Sequence, residues 1–249
     1  MQSSESQPSE SPVISAAQVV YTNIEAEQSP RGNRGFQTVF FTTDKIDRHV
    51  LETEIEPALQ YFPRSNFRPD NSPCEFLFFT LSTGQVAIGQ ITPLLDEVDK
   101  FNRKKMLFAH VLVFDGPEFR RKLNNNPFAI IDAAPFFSNY AEVARSEGVE
   151  PGTLAIPSVR ITAAATAVSV PSESVPAGLC TSDMFKNILM IASAAAMPKR
   201  EAIRLQLRGD PNAFLGFMRT VMGLIPPAFR TACSFDTAYL SDTGQSKGV

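Results

Sequence analysis

The run Lys105-Met-Leu-Phe-Ala-His-Val-Leu-Val-Phe114 is apolar at almost every position. Successive side chains of a strand point to opposite faces, so a strand without polar alternation must be covered on both sides. The run is rich in Phe and Val and is stopped by Asp115-Gly116-Pro117, a composition and punctuation that suit an interior strand. The chain must therefore build a sheet around this segment, with further layers above and below it.

The flanking sequence supplies partners for it. Gln18-Val-Val-Tyr21 and Gly35-Phe-Gln-Thr-Val-Phe-Phe-Thr42 are strand-like, with the turn-rich span 28–34 between them. Cys74 to Ser82 and Gln85 to Ile91 are two apolar runs divided by Thr83-Gly84, the pattern of a β-hairpin. Between these pairs, Ile46, Val50, Leu51, Ile55, Ala58 and Leu59 recur at three- and four-residue spacings, which predicts an amphipathic helix over 46–61 capped by Thr43-Asp44, with Pro57 as a late kink. Short helices are expected at 118–123, 127–132 and 138–147.

Beyond residue 147 the pattern changes. Pro151, Pro157, Pro171 and Pro176 punctuate 148–180, which reads as a connecting segment with one or two short strands. A helix is expected from Ser182 or Asp183 to about 196, and an alternating strand over 202–207. A second helix is expected from Pro211 to about Leu224, with Asp210 as its cap, and a closing strand over 231–239. The helix from Pro211 should bury Phe214, Leu215, Met218, Val221 and Met222. Residues 1–12 are Ser, Glu, Gln and Pro almost throughout and are expected to stay flexible, with structure beginning near Val13 or Ala16. The expected organisation is a tail (1–15), an N-terminal α+β domain (16–147), the connection (148–180) and a C-terminal α/β unit (181–249) packed on the first. The fold class is α+β: a mixed, mostly antiparallel sheet with covering helices, followed by a smaller α/β unit.

Composition excludes several functions. At 249 residues the chain is long enough to bury about 70% of its unfolded surface. A net charge of −3, with no basic run longer than Arg103-Lys104-Lys105, offers no footprint for nucleic acid as a main ligand. Three widely spaced cysteines, Cys74, Cys180 and Cys233, form neither a disulfide framework nor a zinc knuckle, and fit a reducing compartment. The first residues lack the basic and apolar regions of a signal peptide, and no apolar run reaches the roughly 20 residues of a membrane helix. The expected location is the cytoplasm.

Two stretches carry a resemblance. Gln18-Val-Val-Tyr-Thr22, Gly35-Phe36, Tyr61 and Pro63 at a helix end, a Phe-rich hairpin, Asn102-Arg103 and Phe108-Ala-His110 resemble, in that order, the N-terminal type two domain of the bacterial GTPase-associated protein family. Leu205-Gln-Leu-Arg-Gly-Asp210, Leu224-Ile-Pro-Pro-Ala-Phe-Arg230 and Cys233-Ser-Phe-Asp-Thr237 are similar to that family's middle domain, with Cys233-Ser-Phe-Asp236 standing where a Leu-Thr-Phe-Ser type string is usual. The resemblance implies a component of a multi-protein bacterial conflict or defence system, encoded beside a regulatory GTPase and acting as an adaptor or sensor.

No residue pattern demands catalysis or a cofactor. His110 is one of two histidines and sits in the central strand, so an effector enzyme gathered around it is one alternative; a hydrogen-bonded core histidine is the other reading. His49 falls on the polar side of the first helix. The cysteines read as apolar fillers, with Cys180 set apart by its place before a helix start. Asp236 is expected to pair with Arg204, Arg208 or Arg230. Gly209-Asp210-Pro211 lacks the Gly-x-x-x-x-Gly-Lys pattern of a nucleotide loop. A third reading makes the chain a substrate or inhibitor controlled by cleavage or masking within 148–180. The charged loops are the better binding candidates: Arg31 and Arg34 between turn residues, and Arg103, Lys104 and Lys105 behind Asp96, Glu97 and Asp99. The expected partners are other proteins of the same system, a GTPase among them, with no membrane and no nucleic acid.

Overall fold

A computed structural model describes residues 11–27, 29–59, 74–94, 106–148, 154–163, 186 and 211–237. Strand β1 (Val13–Ile24) is followed by β2 (Gly35–Phe41), then α1 (Arg48–Val50), a π-helical turn (Leu51–Ile55) and α2 (Glu56–Leu59). Next come β3 (Glu75–Thr80), β4 (Val86–Leu94), β5 (Met106–Phe114), α3 (Gly116–Leu123), α4 (Phe128–Ile131), α5 (Tyr140–Glu147) and β6 (Val159–Thr162). After Lys186 the description resumes at α6 (Pro211–Leu224), a 3-10 helix (Pro227–Ala232) and β7 (Phe235–Asp236).

The strands form one seven-stranded sheet in the order β2-β1-β5-β4-β3-β7, with β6 also paired to β1. All the strand pairs are antiparallel. Strand β5 sits between β1 and β4, as its apolar sequence requires. Its odd-numbered residues Leu107, Ala109, Val111 and Val113 join Val19, Tyr21, Leu77 and Phe79 under the first helical segment, which contributes Leu51, Ile55 and Leu59. Its even-numbered residues Leu112 and Phe114 join Phe78, Ile88, Phe119, Phe128 and Met222 on the other face, beneath α3, α4 and α6. Phe108 meets Val20, Phe40 and Val143 of α5 further along that face. A single β-strand thus organises both cores.

The architecture is the expected α+β one, with several local corrections. Strand β1 begins at Val13, the earlier of the two expected starts, because Val13–Ala16 pair with Thr162–Val159. Asp47, and not Thr43-Asp44, caps the first helix, taking the His49 N–H at 2.8 Å and the Val50 N–H at 3.4 Å. Residues 43–46 are used instead in turning over the sheet, where the Thr42 carbonyl accepts from both Lys45 and Ile46. The helix is not uniform: the Glu56 N–H reaches back five residues to the Leu51 carbonyl. That widened turn immediately precedes Pro57, whose ring has no N–H to donate and crowds a regular turn.

The hairpin turn places Gly84 at φ +81, a conformation that favours glycine. Its carbonyl oxygen also lies so close to Gly116 that a Cβ there would sit 2.1 Å away. Asp115, which ends β5, then caps α3 through the Glu118 N–H at 2.8 Å.

Of the connecting segment, residues 154–163 are described. They pair with the sheet twice, by a parallel bridge between Phe41 and Ala155 and by β6 along β1. Helix α6 spans the expected residues and buries Phe217, Thr220, Val221 and Met222, with Leu215 and Met218 half-buried. The closing strand is shorter than expected. Residues 227–232 turn in a 3-10 helix, and only Phe235–Asp236 pair with Phe78–Leu77 at the edge of the same sheet. Arg219 of α6 grips Asp132 with two hydrogen bonds and lies 4.5 Å over the Phe128 ring, so α6 is held against the end of α4. Apart from Lys186, the expected helix from 182 or 183 to about 196 and the strand at 202–207 lie outside the described residues, as do Asp210 and Cys180.

Candidate protein-contact surface

His110 was the one residue on which an active site could be centred. It is 1% exposed, on the same sheet face as Gln18 of the neighbouring strand. The Phe137 N–H donates to its Nδ1 at 3.1 Å, and its Nε2 lies 3.0 Å from Gln18 Oε1. Gln18 Nε2 in turn donates to the Pro157 carbonyl at 2.9 Å. The two ends of this chain fix the middle: Nδ1 must accept, so Nε2 carries the hydrogen and the ring is neutral. Burial pushes its pKa down to about 3. Phe136 packs edge-on against the ring and Phe137 tilts over it. Both nitrogens are therefore committed to an amide oxygen and a main-chain N–H, and neither meets an acid, thiol or hydroxyl among the described residues. The arrangement joins β5, β1, the approach to α5 and the approach to β6.

A shallow hollow of about 360 Å³ lies beside these rings, lined by Pro135, Phe136, Phe137, Glu142, Arg145 and Ser146. Its one carboxylate is already occupied. Glu142 accepts from the Ser138 N–H and hydroxyl and from the Asn139 amide, while Asn139 caps α5 through the Glu142 N–H. This reciprocal cap, with the Ser138 N–H its largest contributor, holds the Glu142 pKa below the usual carboxylate value. A carboxylate so engaged is suited to starting a helix and not to proton transfer.

Cys74 and Cys233 stay apart from any such chemistry among the described residues. Cys74 is exposed, near Thr92 and Gln90. Burial raises the pKa of Cys233, whose thiol faces the Phe229 carbonyl. No group of three or more His, Cys, Asp or Glu side chains among the described residues could hold a metal ion. No helix among them is long and apolar enough to cross a membrane. Arg230 does not lie open to a strand carboxylate; it is 5% exposed and donates to the carbonyls of Ile225 and Asn124, each at 3.0 Å. His49 is exposed on α1, as its position on the helix requires.

The loop between β1 and β2 has a definite structure. Ser29 begins it: its N–H donates to Ala26, its carbonyl accepts from Gly32, and its hydroxyl binds Gln37 Oε1 at 2.9 Å. Gln37 Nε2 completes the loop at the Asn33 carbonyl, 2.7 Å away. Gly32 at φ +69 and Gly35 at φ +117 make the two reversals. Arg31 folds back onto the helical segment, 3.4 Å from Glu56 and 3.9 Å from Glu52. Glu56 also accepts from the buried Thr38 hydroxyl at 2.7 Å. Burial, and secondarily the Glu56 charge, raises the pKa of adjacent Tyr21 to about 12.

On the surface of this loop are Arg34, which is exposed, and Phe36, which is 46% exposed and stacks its ring 6.1 Å from Tyr21. Of the charged candidates, then, Arg31 serves the loop's own structure and Arg34 lies on its surface. Arg103, Lys104 and Lys105 lie outside the described residues. Phe36 lies in β2, as the strand pattern predicts, but that pattern alone does not tell that its ring faces outward. Its position directly after Gly35, at the strand's first turnward residues, is the signal that would have placed it at the sheet's end.

A mostly antiparallel seven-stranded sheet, covered by helices on both faces and opened at one end by a built loop, defines an α+β protein with a single continuous sheet. Residues 15–155, from β1 through the bridge at Ala155, match the family model described as GTPase-associated protein 1, N-terminal domain type 2, and the chain belongs to that family. No curated protein and no solved structure matches it. The likeness of residues 205–237 to a middle domain rests on their sequence motifs.

Proposed function

We propose that the chain is a non-enzymatic adaptor or regulatory subunit of a multi-protein bacterial defence system, working in the cytoplasm by binding proteins, a GTPase among them. The observation that carries this reading is the 29–36 loop. Gln37, Ser29 and the Arg31–Glu56 pair fix it in advance, so little ordering entropy opposes a contact made through Arg34 and Phe36. Aromatic and arginine side chains are also the types that dominate protein interfaces. Membership of a GTPase-associated family supports the choice of partner class. The neutral, fully bonded state of His110 supports a scaffold role for the central strand.

The test is affinity purification of the full chain from its native host, beside a variant carrying Arg34→Glu and Phe36→Ser. Proteins encoded by neighbouring genes should be recovered with the wild type and depleted with the variant. A chain that purifies alone at physiological concentration would sink the proposal.

A further inference from the structure

A second exposed surface is built on different physics, at the end of α6. Leu224, Pro226, Pro227, Ala228 and Phe229 are all exposed, Leu224 to 45% and Phe229 to 41%, whereas Ile225 and Arg230 beside them are buried. Five apolar residues in a six-residue stretch thus face solvent at this turn. The turn is stiff. Pro226 holds an extended φ of −54 and ψ of 139, and Pro227 opens the 3-10 helix.

It is also fastened from behind by polar groups. Arg230 donates to the Ile225 and Asn124 carbonyls, Asn125 donates to the Pro227 carbonyl at 2.9 Å, and the Thr80 hydroxyl donates to the Thr231 carbonyl at 2.7 Å. Burying a guanidinium is costly, and here it serves to hold an apolar turn outward. A turn with no external contact would not need its apolar residues presented so rigidly.

Charge specifies what would meet it. Asn124 and Asn125, the anchors of this turn, directly follow the last turn of α3, which carries the exposed Arg120 and Arg121. The neighbouring Lys122 is neutralised by Glu118 at 2.7 Å, whereas Arg120 and Arg121 have no carboxylate partner among the described residues. An exposed apolar turn, anchored on the end of a helix whose two arginines meet no carboxylate among the described residues, is complementary to an apolar pocket rimmed by carboxylates.

We propose that the Leu224–Phe229 turn, with Arg120 and Arg121, is a second docking surface, which takes a folded protein partner through an apolar pocket edged with Asp or Glu. It rests on the binding role proposed above and gives the chain a surface distinct from the 29–36 loop, as an adaptor joining two proteins requires.

The experiment places a photoreactive phenylalanine analogue at position 229, or separately at position 36, of the full chain in its native host, and identifies the crosslinked protein. That protein is then purified and titrated against wild type, Phe229→Ser, Leu224→Ser, Arg120→Glu with Arg121→Glu, and Phe36→Ser, with thermal melts to show that each variant is folded. Phe229→Ser should weaken binding about tenfold, the arginine pair should weaken it and flatten its salt dependence, and Phe36→Ser should leave it unchanged. A crosslink from 36 with none from 229, or a partner of 229 whose affinity survives both Phe229→Ser and Leu224→Ser, overturns this surface and leaves the adaptor reading standing. No crosslink from either position overturns both.

Discussion

Two buried nitrogenous side chains, His110 and Arg230, fasten later parts of the chain to the sheet, and they do so in opposite ways. His110 is neutral, and one of its nitrogens donates while the other accepts, so the surrounding Gln18, Phe137 and Pro157 groups must alternate in role. Arg230 keeps its charge, offers only donors, and is met by main-chain carbonyls alone in its two hydrogen bonds. The difference teaches how each site fails. A histidine can escape burial of charge by giving up its proton, so its site is sensitive to pH; an arginine cannot, so its site is sensitive to replacement.

The largest effect should follow from breaking the arginine side. Arg230→Met leaves the Ile225 and Asn124 carbonyls without their donor, and should cost about 3 kcal/mol in urea unfolding. A loss below about 1 kcal/mol would show that water replaces the guanidinium freely. Breaking the histidine side should cost less, about 2 kcal/mol for His110→Leu, because the groups orphaned there are one amide oxygen and one N–H. Hydrogen exchange should quicken at Phe137 in that variant, and an unchanged rate would refute the assigned bond.

A pH series sharpens the comparison without any mutation. The unfolded imidazole takes up a proton near pH 6.5, while the folded one resists until about 3. Between these values the unfolded state holds more protons, so stability is full above about 6.5 and falls as the pH drops, by roughly 1 kcal/mol per unit. His110→Leu should flatten that slope and Arg230→Met should not; equal slopes in wild type and His110→Leu would count against the histidine as its source. The smallest effect belongs to the partly exposed clasp between α6 and α4. Asp132→Asn should lower stability by about 1 kcal/mol or less, read as a small shift in the unfolding midpoint.

The sheet was legible because β5 states its own environment: uniform apolarity demands cover on both faces, and the structure supplies it. The places of α3 and α5, the apolar stripe of the first helix and the limits of α6 follow from equally local patterns. The π-helical turn before Pro57 was not legible, since a proline announces a disturbance and not the form it takes. Nor was the short β7. Its neighbours Thr231 and Ala232 look strand-like, and what bends them into a 3-10 turn is a bond from Arg230 to Asn124, 106 positions away. The same limit applies to the site. The turn residues of 28–34 marked a loop, but its rigidity comes from the amide of Gln37, which could as easily have faced solvent. The outward setting of Phe36 is signalled only by its place beside Gly35, and that of Phe229 by nothing local, since an aromatic residue type does not by itself say which way its ring faces.

The order of strands has a consequence for how the molecule comes into being on the ribosome. Among the described strands, β1 is made before the rest and can pair at once with β2, whereas its other neighbours, β5 and β6, come much later. Strand β3 is not fully bordered until Phe235 is synthesised, more than 150 residues after it. Such distant pairings make folding slow and leave half-built sheet exposed during translation. The nascent chain therefore passes through its most aggregation-prone stage with both cores open, and the rate at which residues 106–236 emerge governs how long that stage lasts.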